Sequence, residues 1–252
     1  MQILFKIANE LNEEKINISA AENIELLMGQ IMLNRIAGIA YDNIDLETLS
    51  REAKKVLRIN KENNISICNR FMENLKGLAI MLKSVEFKYA LLKGAFLTTF
   101  LYESGHRTSN DIDILVNSAD VSKLQNLLLQ NKFIQGHISS QGEIIPASRK
   151  EIIEAKMNYG ETVPFFKSID GQILEIDLNF SIDYKPAEDM RIVREMLSSA
   201  IDVEKDGIRF KTLNHENFLI HLCCHLYKEA TTYLCIPKVI HVPKDVQAYS
   251  SA

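Results

Sequence analysis

Ile67, Phe71, Leu75, Leu78 and Leu82 recur at steps of four and three, which places them on one face of a helix. The charged residues between them form its solvated side. No proline precedes Pro146, and before Val85 the only glycines are Gly29, Gly38 and Gly77. Such a scarcity of chain breakers predicts a helical region over residues 1–85. The period then shortens. "FKYALL" predicts a short strand ending at Lys93-Gly94, and "AFLTTFLYES" returns to helical spacing. "DIDILV" (Asp111–Val116) is a strand by alternation and β-branching. "SADVSKLQNLLLQNKF" predicts a helix with Ser118 as its N-cap. A less regular stretch over 135–165 holds Gly136, Gly142, Pro146, Gly160 and Pro164. In "GQILEIDLNFSI", Leu174, Ile176, Leu178 and Phe180 take one face of a strand and Glu175, Asp177 and Asn179 the other. After Pro186, "RIVREMLSSA" and "NHENFLIHLCCHLYKEA" read as helices, ahead of a tail with Pro237 and Pro243 that reads as loosely ordered.

The pattern predicts an α+β protein. A small mixed sheet over residues 86–185 is flanked by helical regions over 1–85 and 186–252. Composition changes this picture little: 252 residues, 46% hydrophobic and 25% charged, suffice for a full core. The net charge of −4 argues against a generic nucleic-acid binder, though it leaves room for a local basic groove. The apolar run in "MQILFKIANELNEEK" is too short for a signal peptide, and no apolar stretch approaches the roughly 20 residues that span a bilayer. The expectation is a cytoplasmic protein. Cys68, Cys223, Cys224 and Cys235 make no disulfide framework. In "HLCCH", His221 and His225 share a helix face, but no second ligand knuckle and no H-E-x-x-H glutamate accompany them. The segment reads as small apolar cysteines on a buried face.

The chemistry gathers around Asp111 and Asp113. Two apart on a strand, they point the same way, away from Ile112 and Ile114. Carboxylates this close repel, and one pKa rises unless a cation sits between them. Mg²⁺ takes oxygen ligands and is commonly held by one or two carboxylates plus substrate phosphates. Alone, the same pattern also describes a solvated edge strand. Its context says more. Gly94 lies between a strand and a helix, where backbone N–H groups and the helix dipole favour phosphate, and Lys93 adds a cation. Asp177, sharing a strand face with Glu175, offers a third acid. Three carboxylates facing a strand-glycine-helix turn suit a two-metal site that activates a hydroxyl and steadies a leaving pyrophosphate.

Lys93-Gly94, a helix, "DIDILV" and a later "EIDL" together resemble the DNA-polymerase-β-like nucleotidyltransferases. "LLKGAFL…LYESGHRTSNDIDILV" is most similar to bacterial nucleotidyltransferase-family proteins with a K-G-x-x-L…Y…R…D-I-D-L-L-V pattern, over roughly residues 50–230. The resemblance implies Gly94 beneath a triphosphate, Asp111 and Asp113 as ligands of two Mg²⁺ ions, and Asp177 as the third acid, with Glu175 as runner-up. It also implies that Arg107 binds phosphate oxygens, a residue that reads otherwise as half of a loop salt bridge. The donor is then an NTP, with ATP favoured, and the acceptor a hydroxyl on a small molecule or protein. Two departures stand out. Ala95 replaces a small polar residue, leaving only its backbone N–H for phosphate, and Asn179 replaces a histidine. They keep open a catalytically inactive nucleotide- or partner-binding protein, and tRNA remains an alternative acceptor. His106 reads as an exposed, incidental loop residue. Lys156 and Tyr159 are candidates to line the acceptor pocket.

Overall fold

The computed structural model describes residues 2–233 apart from residues 10, 12, 13, 20, 22 and 183–189. The proline-bearing tail with Pro237 and Pro243, and Cys235, lie outside the described residues. Among the described residues four α-helices precede the first strand: α1 (Gln2–Ile7), α2 (Ile24–Leu33), α3 (Ala37–Asn43) and α4 (Arg51–Leu82). The apolar stripe belongs to α4, which starts where the Ser50 hydroxyl accepts from the Ala53 N–H. Its 32 residues hold the stripe Phe71, Leu75, Leu78 and Leu82 against the sheet, each at most 4% exposed. Its N-terminal half packs instead into a separate cluster with Ile7, Leu27, Ile31, Ala40 and Leu57.

The remaining elements are β1 (Tyr89–Leu91), α5 (Gly94–Phe96), β2 (Asp111–Val116), α6 (Val121–Gln130), β3 (Ile134–Ile138), β4 (Ile144–Pro146), α7 (Arg149–Asn158), β5 (Phe165–Ile169), β6 (Gln172–Asn179), α8 (Arg191–Ser198), β7 (Ile201–Lys205), β8 (Ile208–Thr212) and α9 (His215–Tyr233). They build one mixed eight-stranded sheet in the order β4-β3-β5-β6-β2-β1-β8-β7. The protein is therefore α+β, as its alternation predicts. β2 and β6 run parallel at the centre; β1 joins β2 antiparallel and β8 parallel.

The structure corrects or extends the sequence reading in several places. The segment between the last two helices holds the β7–β8 hairpin, which adds two strands beside β1. Its turn, Asp206-Gly207, has both residues at positive φ (53° and 74°), as a tight hairpin requires. The irregular stretch contains β3, β4 and α7, and α7 opens with a reciprocal capping box between Ser148 and Glu151. α6 is entered at Asp120 and not capped by Ser118.

Both sheet faces are covered. Ile112, Ile114, Val116, Leu174, Ile176 and Leu178 pack with α4 and α6. On the other face Leu115, Ala90 and Leu92 pack beneath α8 and the start of α9. Alternation puts Asp111 and Asp113 on the same face as Leu115.

The loop between α5 and β2 is clamped by the N-terminal helices. The Asn64 side chain donates to the Gly105 carbonyl at 3.1 Å, and the Cys68 thiol to that of Arg107 at 2.9 Å. His106 is 8% exposed and its Nε2 lies 2.6 Å from Asp42 Oδ2, so it is not the exposed residue its loop position suggests. Lys61 bonds the same Asp42 carboxylate. Burial pushes the Asp42 carboxyl up, but the hydrogen bonds from Lys61 and His106 outweigh it and hold it below the ordinary value. Gly38 faces the Gly105 carbonyl so closely that a Cβ would overlap it. Gly38→Ala is expected to lower stability by about 1–3 kcal/mol, the usual range for overpacking, read as an earlier midpoint in urea. An unchanged midpoint would contradict this clamp.

Candidate active site

The parallel register of β2 and β6 sets the site: Asp111 lies opposite Glu175, and Asp113 opposite Asp177. Oxygens of Asp111, Asp113 and Asp177 all fall within 4.8 Å of one another, and Glu175 stands outside this group. Three carboxylates at that spacing are hard oxygen donors of the kind Mg²⁺ prefers, so the residues fit a divalent ion. The other such group among the described residues, Asp42, Glu103 and His106, already carries the Lys61 ammonium. It serves as the loop clamp.

Asp113, 3% exposed, is the best-held member. Its Oδ1 accepts from Lys93 Nζ at 2.8 Å and from Asn179 Nδ2 at 3.3 Å. Asn179 thus supports Asp113 directly. Lys93 sits between β1 and α5 at φ 36° and ψ −107°. Positive φ at a non-glycine residue stores strain, a feature that clusters at functional sites. The turn beyond it is short: α5 spans three residues and passes into a π-helical turn, Leu97–Leu101.

Two details of this turn differ from the sequence reading. The Ala95 N–H donates to the Leu92 carbonyl at 3.1 Å, so it is engaged within the turn and not offered to phosphate. Gly94 lines the cavity, but its lack of a side chain is dictated by Ser109, whose Oγ would lie 2.5 Å from a Cβ there. Ser109 Oγ in turn pairs with Thr98 Oγ1 at 3.0 Å, tying the loop before β2 to the helix after β1.

The acids open into a cavity of about 590 Å³ lined by both predicted and unpredicted residues. Lys93, Gly94, Arg107, Asp111, Asp113 and Asp177 all line it, which gathers the full predicted set in one place. Tyr159 lines it too, while Lys156 is exposed on α7 and does not. Glu161, His225 and Lys228, which the sequence reading does not single out, line it as well: Glu161 bridges to Asn179 beside β6, and Lys228 Nζ from α9 lies 2.9 Å from Glu161 Oε2. The signal for the two α9 residues is the spacing of His221, His225 and Lys228 at i, i+4 and i+7, one face of that helix. The cysteines between them face elsewhere: Cys223 is exposed and Cys224 half-buried, so "HLCCH" is not a buried cysteine face.

Crowded carboxylates shift one another. Burial, then the charge of Asp113, raises Asp111. Burial, then Asp111 and Asp113, raises Glu175. Asp177 is pushed up to about 8 by burial and then by Asp113, Glu175, Asp111 and Glu161. Without a bound metal, the folded protein therefore binds this proton more tightly than the unfolded chain, whose aspartate titrates at 3.8. The resulting stability is full below pH 3.8, declines as pH rises, and is gone above about pH 8. In chelator, Asp177→Asn removes that titration. The stability of the variant minus that of the wild type, from urea titrations, is expected to rise between pH 4 and pH 8. A difference that stays constant across this window would contradict the crowding.

No helix among the described residues is long and apolar enough to cross a membrane. Comparison with curated proteins returned no match. Among solved structures, a Thermotoga maritima protein described as a "putative nucleotidyltransferase" aligns with 65% of this chain and 90% of its own, at 14% identity and a TM-score of 0.39. The family described as "uncharacterised nucleotidyltransferase" matches residues 20–238, which include every residue lining the acidic cavity. That span is most of the 252 residues, and the chain belongs to this nucleotidyltransferase family.

Proposed function

We propose that the protein transfers a nucleoside monophosphate from an NTP, with ATP favoured, to a hydroxyl on a small molecule or protein, and that it uses Mg²⁺. The observation that carries this is the β2–β6 register, which draws the oxygens of Asp111, Asp113 and Asp177 within 4.8 Å. The reading also places the chain with the DNA-polymerase-β-like nucleotidyltransferases.

In the transfer, the acceptor oxygen forms a bond to the α-phosphorus while the bond from that phosphorus to the β-bridging oxygen breaks, releasing pyrophosphate. Asp111, Asp113 and Asp177 would hold two Mg²⁺ ions, whose chemistry is to make the hydroxyl a better nucleophile and to neutralise charge on the leaving group. Asp113 is fixed for its part by Asn179 from the neighbouring strand. The charge of Glu161, itself paired with Lys228, reaches Asp177, and we take the acceptor to enter beside that pair. There the Asp177 carboxylate receives the proton of the acceptor hydroxyl. Arg107, held by the clamped loop, faces the cavity with the fork geometry that suits phosphate oxygens. Lys93 supplies a second cation at the turn before Gly94.

The test uses ATP labelled at the α-phosphate, Mg²⁺ and cell extract as the acceptor source. Asp111→Ala/Asp113→Ala is expected to lower label transfer and pyrophosphate release by at least about a hundredfold, the range for losing electrostatic stabilisation of a transition state. Equal release by wild type and variant would contradict the proposal. Stable binding of Mg-ATP by the wild type with no release at all would instead identify an inactive nucleotide-binding protein.

A further inference from the structure

His221 is the one buried residue among those described whose side-chain polar atoms lack any partner: both ring nitrogens are enclosed and make no hydrogen bond. It is 6% exposed, on the cavity-facing side of α9, with its ring stacked on that of His225 at 6.4 Å and 17°. Unpartnered buried nitrogens are costly and call for an explanation. Two neighbours act on this ring electrostatically from the acid floor, Lys93 and Asp113. Burial, and then the Lys93 charge, hold the imidazole down at about 4, so at neutral pH it is uncharged and carries one bare acceptor nitrogen.

Lys93 supplies the complementary observation. Its ammonium is 2.8 Å from Asp113 Oδ1, one of the three oxygens that would hold a divalent ion. A lysine ammonium and a divalent cation cannot share one carboxylate oxygen at close range, because their like charges repel strongly in a poorly solvated site. The lysine side chain is long and flexible, and it starts from a strained backbone position.

We propose that Lys93 is the resident cation of the acid site and that it moves when a divalent ion binds, its ammonium leaving Asp113 and donating to the bare ring nitrogen of His221. This inference rests on the reading of the acids as the metal site. The exchange keeps Asp113 paired in both states and gives His221 its partner in the metal-bound one. Without metal, Lys93 neutralises Asp113; with metal, it satisfies His221 and remains beside the phosphates of a bound NTP. His221 is then a positioning residue that acts through Lys93.

Two substitutions with opposite signs test it, read as Mn²⁺ affinity from the free-ion signal in electron paramagnetic resonance. Lys93→Met removes the competing cation and is expected to tighten Mn²⁺ binding about tenfold. His221→Leu removes the receiving nitrogen and is expected to weaken it about tenfold, the scale of one hydrogen bond. His221→Gln, whose amide oxygen still accepts, is expected to keep the wild-type affinity. The double variant Lys93→Met/His221→Leu should match Lys93→Met, because the histidine acts only through the lysine. In the wild type, independent of any variant, Mg²⁺ should shift a His221 ring ¹⁵N resonance from the bare to the hydrogen-bonded range. An unmoved resonance, an unchanged Mn²⁺ affinity in His221→Leu, or the same weakening in the Lys93→Met background would overturn the inference. A wild type that binds no Mn²⁺ would overturn the metal-site reading itself.

Discussion

Repulsion among carboxylates that one strand pairing forces together is the constraint on which the rest of the site depends. β2 and β6 are neighbours and parallel, so the side chains of Asp113 and Asp177 emerge from adjacent strands on one face. Ile112, Ile114, Ile176 and Leu178 emerge on the opposite face and are fully buried. A slip of one residue would put these aliphatic side chains in the cavity and the acids in the core, so burial of the apolar face fixes the register. The hydrophobic effect thus holds in place an electrostatic arrangement that is unfavourable by itself. The protein answers this cost locally, with the Lys93 ammonium on Asp113 and a proton retained on Asp177.

Everything around the acids serves to keep that arrangement from relaxing. α4 and α6 cover one sheet face, and α8 with the start of α9 cover the far end of the other. The loop before β2 is bound to α3 and α4 through Asp42, Lys61, Asn64 and Cys68, and to the turn after β1 through Ser109 and Thr98. The N-terminal helices therefore take part in the site at one remove: they hold Arg107, which lines the cavity. Another part of the wall belongs to α9, about fifty residues beyond Asp177 in sequence, where His225 and Lys228 line the cavity.

How much of this was legible in the sequence follows from which signals are local. Alternation in "DIDILV" and "GQILEIDLNF" carried the two central strands, and with them the acids. What alternation cannot carry is which strands lie side by side, so the partnership of Asp113 with Asp177 over Glu175 needed the structure. α7 was missed because none of its residues is buried, which leaves no apolar stripe; its signal was the Ser148–Glu151 cap. The β7–β8 hairpin was missed although Asp206-Gly207 is a turn dipeptide between alternating runs. His106 was misplaced because its partner, Asp42, is 64 residues away. The flanks of Gly94 point to phosphate, whereas Ser109 is what excludes a side chain there.

The central claim is that Asp111, Asp113 and Asp177 act together as one metal site facing a bound triphosphate. A crystal grown with Mn²⁺ and a non-hydrolysable ATP analogue tests this most directly. The account predicts anomalous density bridging oxygens of Asp113 and Asp177, with the phosphates of the analogue on the same ion or ions. Manganese bound elsewhere, or Asp177 turned away from Asp113 in the occupied crystal, would contradict it.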